Sequence, residues 1–297
     1  MKKLTFYLAL LGLMIYGVQV YPQSSTMLLL MGDEDGHSPN PESGIYNASL
    51  TTPLSAAYKA TLDSFIVMVK DSLDINLLSD AFDVMYDLGS ETAEAGLKNL
   101  VKRSHDATAV NSPTFTQWEG FTSNSALNRY VNTNYKPLSD GVNITTTSTS
   151  MGFYSRTNIS VANNWDMGAS GASDANALTI RTNSGGAGLC FVYFGNTPAG
   201  SITSSNSSGF FVGIKVTGGA SLYRNGSLLG GNTYVVGNMP DLNIYIGGKN
   251  NNGTASNITG RQYSFAFISK GLTATEIAKF TNCVEWLQDR KGKGVIP

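Results

Sequence analysis

Apolar residues recur at helical spacing in the first half of the chain and alternate over short runs in the second. Thr52 followed by Pro53 makes a cap and first-turn start. Leu54, Tyr58, Leu62, Phe65, Val69 and Leu73 then fall three and four apart, as one stripe of a helix. Leu78, Phe82, Met85 and Leu88 predict a second short helix, with Gly89 placed to stop it. A third runs from Glu91 to Arg103, with acids at its start and Lys102 and Arg103 at its end, as the helix dipole favours.

From Pro113 the texture changes to short β-branched or aromatic runs parted by Gly, Asn and Ser, such as ALTIRT, GLCFVYFG and GFFVGIKVTG. About ten such runs predict a β-sandwich or barrel. Asn225-Gly226 supplies the two positive-φ residues of a type I′ hairpin. Leu242, Ile244 and Ile246 alternate with polar or aromatic neighbours, as a strand with one buried face does. In RQYSFAFISKGLTATEIAKF, alternation puts Tyr263, Phe265 and Phe267 on one face and Ser264, Ala266 and Ile268 on the other. A helix follows: Thr273 and Glu276 fit a capping box, Leu272 and Ile277 a hydrophobic staple, and Lys291-Gly292 a stop.

Composition narrows the function classes. The 297 residues are 41% hydrophobic, enough for a real core, and only 14% charged, with a net charge of −1. No basic excess exists to grip a phosphate backbone, so nucleic acid is not an expected partner. Lys2 and Lys3 before the apolar run Leu4 to Val20 read as an export signal over residues 1–23, the rival being an uncleaved anchor. Residues 24–52 read as a linker, residues 53–110 as a helical lead-in, and residues 113–292 as the sandwich. Cys190 and Cys283 permit one disulfide in an oxidising compartment, or are two buried thiols behaving as small hydrophobes.

Three stretches carry a resemblance. YSFAFISKGLTATEIAKF resembles the closing strand-and-helix signature of laminin-G-like, concanavalin A-like jelly rolls. SLYRNGSLLGG is similar to their hairpin, and LNIYIGGKNNNG to their strand and loop. The helical stretch LDSFIVMVKDSLDINLLSDAFDVMYDLG before the sandwich resembles the lead-in of phage tail-fibre and other virion-associated proteins and their bacterial relatives. The resemblance implies a mainly β, concanavalin A-like jelly-roll sandwich with an N-terminal helical segment and a C-terminal helix. It also implies a surface-recognition module, often for glycans, that is secreted, at the cell surface or on a phage virion.

The same fold hosts glycoside hydrolases, which need paired carboxylates on one strand face. Between Pro113 and Lys270 the acids are Glu119, Asp140, Asp166, Asp174 and Asp241, and none lies two or four residues from another. The sequence therefore favours a non-catalytic protein, not an enzyme, that binds a cell-surface glycan. An oligomerising component of a fibre or surface layer is the alternative, and a polysaccharide hydrolase or lyase stands third. Candidate ligand contacts are Trp165, as a sugar-stacking platform or a core residue, and Asp166 and Asp174, as calcium ligands or turn formers. Asn250, Asn251 and Asn252 offer amides to sugar hydroxyls or simply tolerate left-handed turns. No other cofactor is expected.

Overall fold

A computed structural model of the chain describes residues 40–185, 188–195, 202–217, 219–232 and 237–297. The expected export signal, and most of the expected linker, lie outside the described residues. Among the described residues the helices are α1 (Pro41–Ala48), α2 (Ala56–Leu73), α3 (Ala93–Leu97), α4 (Pro137–Asp140) and α5 (Ala274–Arg290). The strands are β1 (Phe82–Tyr86), β2 (Thr108–Val110), β3 (Thr114–Thr116), β4 (Gly120–Thr122), β5 (Tyr130–Asn132), β6 (Thr149–Ser155), β7 (Met167–Ser170), β8 (Ala177–Ser184), β9 (Leu189–Gly195), β10 (Ile202–Thr203), β11 (Gly209–Val216), β12 (Gly219–Arg224), β13 (Ser227–Asn232), β14 (Tyr245–Ile246), β15 (Lys249–Asn251), β16 (Thr254–Ser256) and β17 (Gln262–Ser269).

The chain is mainly β, with two sheets and a C-terminal helix. One sheet of eight strands runs β13-β12-β11-β6-β17-β4-β3, with β1 also paired to β17. The other, of nine, runs β10-β9-β8-β7-β14-β5-β2, with the β15–β16 hairpin joined to β7. The first sheet is covered on both sides. Between the sheets lie Met151, Phe153, Ile180, Phe211 and Ile246; on the far face Phe65 of α2 and Phe280 of α5 meet Phe210, Phe265 and Phe267. Phe280 is the hub of that second core, 4.9 Å from the ring of Phe267 and 5.7 Å from that of Phe210. Each buried phenylalanine contributes about 1.5–3 kcal/mol of hydrophobic stabilisation.

Four expectations need correction. First, Leu78–Leu88 is not a helix: Leu78–Asp80 makes one 3-10 turn, and Phe82–Tyr86 is a strand whose five residues are all buried. Phe82 and Met85 face the helices while Val84 and Tyr86 face the other sheet, so a strand buried on both sides lost its period-two signature. Strands β1 and β2 therefore bring the sheets into residues read as a purely helical lead-in, and α1 occupies part of the expected linker. Second, of the helix expected over Glu91–Arg103 only Ala93–Leu97 forms. The Asn99 side chain then takes the N–H groups of Met85 and Val101, and Leu100 N–H bonds Met85 O, so the chain runs on beside β1.

Third, Tyr263 does not share a face with Phe265 and Phe267. A register shift between Tyr263 and Phe265 turns Tyr263 into the space between the sheets. Helix α2 also starts later than Thr52, because Ser55 is its N-cap, accepting from Tyr58 N–H, while the Thr51 and Thr52 N–H groups bond Glu94. The type I′ hairpin stands as expected, with Asn225 at φ 52° and Gly226 at φ 77°.

Cys190 and Cys283 are both buried free thiols. Cys190 lies in the core between the sheets and Cys283 in the core under the helices, so the doubly covered sheet separates them. No helix among the described residues is long and apolar enough to cross a membrane.

The capping box of α5 is present: Thr273 N–H bonds Glu276 Oε2 at 2.7 Å and Glu276 N–H bonds Thr273 Oγ1 at 3.2 Å. Replacing Glu276 by Ala is expected to cost about 1 kcal/mol. Chemical denaturation of the two proteins checks this, since the reciprocal bond is the only one of the pair that Glu276→Ala removes.

Candidate functional site

The residues singled out from the sequence, Asp166 excepted, converge on one corner of the nine-stranded sheet. Strand β15 runs parallel beside β7, pairing Asn250 with Ala169 and Asn251 with Ser170. Lys249 Nζ meets Asp174 Oδ1 at 2.5 Å and lies 5.1 Å from the Trp165 ring, with the Arg181 guanidinium 5.0 Å from that ring. Trp165 is only 5% exposed. The Asn250 amide is spent inside the loop, donating to Asn243 O and accepting from Gly253 N–H. Asn252, at φ 49°, donates its N–H to Ser170 O, and Asn251 is exposed.

Asp166 stands apart from this corner. It is fully buried, and Arg261 Nη1 at 2.6 Å, Tyr263 Oη at 2.8 Å and the Thr182 N–H and hydroxyl all donate to it. Arg261 in turn donates to the carbonyls of Ile159, Thr182 and Asn183. Asp166 and Asp174 thus answer different cations and do not form a calcium pair. Among the described residues no group of three or more His, Cys, Asp or Glu is placed to hold a metal ion. Nor do Glu119, Asp140, Asp166 and Asp174 share any bonding partner.

A different site is built where α2 begins, α5 ends and the β3–β4 turn passes between them. Ser55, Ala57, Tyr58 and Thr61 from α2, Trp118 from the turn, and Arg290 and Lys291 line a cleft of about 290 Å³. The Tyr58 and Trp118 rings meet edge to face, 4.8 Å apart at 71°. Trp118 carries φ 67°, a left-handed conformation that a bulky side chain rarely adopts. Its surroundings hold it there. Trp118 N–H bonds Ser90 O at 3.1 Å, and Gly89 lies so close that an added Cβ would sit 2.9 Å from Trp118 O. The glycine expected to stop a helix instead makes room for this turn.

Under the cleft floor lies Asp87, at the end of β1 and wholly enclosed. Tyr58 Oη donates to one of its oxygens and Lys291 Nζ to the other. Burial pushes the Asp87 carboxyl up and the Lys291 ammonium down, and in each case the attraction of the other opposes the shift. With both oxygens taken, Asp87 supports the floor and is not itself offered to a ligand. Arg290 leans on Trp286, its guanidinium 5.1 Å from the ring, and is exposed at the cleft wall.

Sequence reading missed this site because its parts come from residues 58, 87, 118 and 290. Tyr58 read as one member of a core stripe and Lys291 as a helix stop, and nothing in the pattern singled out Trp118. No spacing links them.

No family model matches the chain, and no curated protein matches it. Solved structures similar to it include the Trypanosoma rangeli sialidase in complex with sialic acid, 13% identical over 75% of this chain and 38% of that one, at a TM-score of 0.49. A mutant of the same sialidase displaying trans-sialidase activity is 14% identical over 77% of this chain and 40% of that one, at 0.47. The leech intramolecular trans-sialidase is 14% identical over 46% and 23%, at 0.36. The chain spans at most about 40% of the length of these proteins. By name all three are sialidases or trans-sialidases, which runs against the expectation of a non-catalytic protein that is not an enzyme, and that expectation is not carried forward. At these scores the likeness assigns no activity and no residue to this chain. It links the chain to no phage tail-fibre family either.

The burial of Asp166 gives a direct test of its role. Asp166→Ala leaves Arg261 charged and enclosed without its partner, a loss of about 3–5 kcal/mol. Thermal unfolding of the variant is expected to show it. Asp174→Ala is expected to lower the melting temperature less, because that carboxylate is over half exposed, although it leaves the enclosed Lys249 ammonium without its carboxylate.

Proposed function

We propose that the chain acts on glycans and that a sugar bearing an acidic group lies in the cleft between Tyr58, Trp118 and Arg290. The observation that carries the reading is the composition of that cleft. An edge-to-face aromatic pair supplies an apolar wall of the kind that packs on the C–H face of a sugar ring. Arg290 offers only donors, in the planar fork that matches a carboxylate or sulfate. The N-terminus of the eighteen-residue α2 opens on the same space and adds its positive end. Ser55 Oγ accepts from Tyr58 N–H and keeps its proton to donate, while Thr61 Oγ1 donates to Ala57 O and is left to accept from a sugar hydroxyl.

A jelly-roll arrangement of the two sheets, with export to the cell surface, is part of the same reading, and its support is the sequence resemblance. A glycan is also what the corner of Trp165 and Asn250–Asn252 was expected to bind. The cleft is preferred because the exposed Arg290 and the half-buried Trp118 line it, whereas at the other corner Lys249 covers the Trp165 ring and the Asn250 amide is already bonded.

The test is ligand-detected NMR with the methyl glycosides of N-acetylneuraminic acid, glucuronic acid, glucose and N-acetylglucosamine. The acidic sugars are expected to bind and the neutral ones to bind more weakly. Trp118→Ala is expected to lower affinity about tenfold, and Arg290→Ala about tenfold or more for the acids alone. The 4-methylumbelliferyl glycosides of the same acids read whether the bound sugar is cleaved. Absence of binding to any of the four, or binding indifferent to both variants, would reject the assignment.

A further inference from the structure

We infer that the segment after α5 holds the Trp118 platform in its ligand-ready position through the Lys293–Glu119 ion pair, which makes these two positioning residues of the cleft. The inference rests on the carbohydrate reading of that cleft and concerns how its aromatic wall is fixed.

Trp118 sits in a backbone conformation that costs energy, and such a conformation persists only where the surroundings over-determine it. On one side the turn is fixed by the main body, through Ser90 O, Gly89 and the Tyr58 ring. On the other side the next residue, Glu119, reaches Lys293 Nζ at 2.5 Å. Lys293 lies two residues beyond Lys291, which is anchored to Asp87 beneath the same cleft. The segment is then fastened at four further points. Arg156 donates to Lys293 O, Lys293 N–H bonds Gln288 O, Val295 N–H bonds Tyr154 Oη at 2.7 Å, and Ile296 N–H bonds Glu285 Oε1 at 3.1 Å.

A segment tied down so often is a fixed strut. Its side-chain link to the Trp118 turn is to the Glu119 carboxylate, whose pKa the bond from Lys293 holds below the ordinary range. The pair is partly exposed, 32% for Lys293 and 26% for Glu119, so it adds little to global stability and is weakened by salt. Its effect falls on where Trp118 stands. Residues 291–296 therefore serve the cleft twice: Lys291 completes the floor and Lys293 steadies the wall.

The test uses the full chain labelled with 5-fluorotryptophan, its three resonances assigned by single Trp→Phe variants. In Lys293→Met and in Glu119→Gln, the Trp118 resonance is expected to move or broaden at an unchanged melting temperature. Affinity for the methyl glycosides of N-acetylneuraminic and glucuronic acid is expected to fall about fivefold. The charge-swapped pair Glu119→Lys with Lys293→Glu is expected to restore both. An unmoved Trp118 resonance in the single variants overturns the inference, as does a moved resonance with undiminished affinity. If the wild type binds no sugar, the carbohydrate reading fails by itself, and the fluorine resonance still decides whether the pair positions Trp118.

Discussion

Burying an eight-stranded sheet on both faces removes water from the polar groups at its strand ends, and each must find a partner inside the protein. Much of the internal chemistry of this molecule answers that demand. Among the described residues three carboxylates lie fully enclosed, Asp83 and Asp87 on or just after β1 and Asp166 just before β7. Asp83 accepts from Tyr135 Oη and from the N–H groups of Val142 and Asn143, which pins the loop after α4 to the sheet. Asp166 gathers Arg261, Tyr263 and Thr182, tying β8 to the start of β17. Asp87 joins Tyr58 of α2 to Lys291 beyond α5. Each buried acid thus fastens a different part of the periphery to the central sheet.

The same constraint explains what the sequence made legible. Alternation survives where one face of a strand stays polar or a turn marks its end, so the Asn225-Gly226 hairpin and the strand and capped helix at the close of the chain were readable. It fails where both faces are apolar. Phe82–Tyr86 looked helical because Leu78, Phe82 and Met85 keep helical spacing while Val84 and Tyr86 fill the opposite face. The acids inside that run, Asp83 and Asp87, were the available warning. Two carboxylates four apart in an apolar stretch fit a polar helix face equally well, and only the register with β17 distinguishes the two. The bulge after Tyr263 had no signature, since serine at position 264 fits either face.

Of the residues proposed for ligand contact, sequence reasoning placed Trp165, Asp174 and Asn250–Asn252 in two loops. The structure joins those loops through β15 and β7. What it adds is Lys249, whose ammonium neutralises Asp174 beside the Trp165 ring and closes the corner that a sugar-stacking platform would leave open. Lysine within a Gly-Gly-Lys-Asn turn carries no hint of that. The cleft at Trp118 was illegible for a different reason: its wall depends on a backbone angle, and tryptophan at φ 67° is chosen by its neighbours and not by its own preference.

That angle links fold and function. Gly89 and Gly120, on either side of the turn, leave no room for a side chain: an added Cβ at Gly120 would collide with Tyr263 O, and one at Gly89 would crowd Trp118 O. The turn is therefore squeezed against β17, the strand on which both cores rest, and Trp118 is pushed outward over Tyr58. A sheet packed on both faces offers no groove of its own, since its surfaces are already spent. The cleft instead arises where the helices that cover the sheet end, at the first turn of α2 and the last of α5, and where a β-turn is forced out between them. Helix ends leave backbone donors and acceptors without intrahelical partners. The fold thus brings the exposed Arg290 guanidinium and the half-buried Trp118 ring, backed by Tyr58, together at one rim, and the proposal of a sugar with an acidic substituent rests on that pairing.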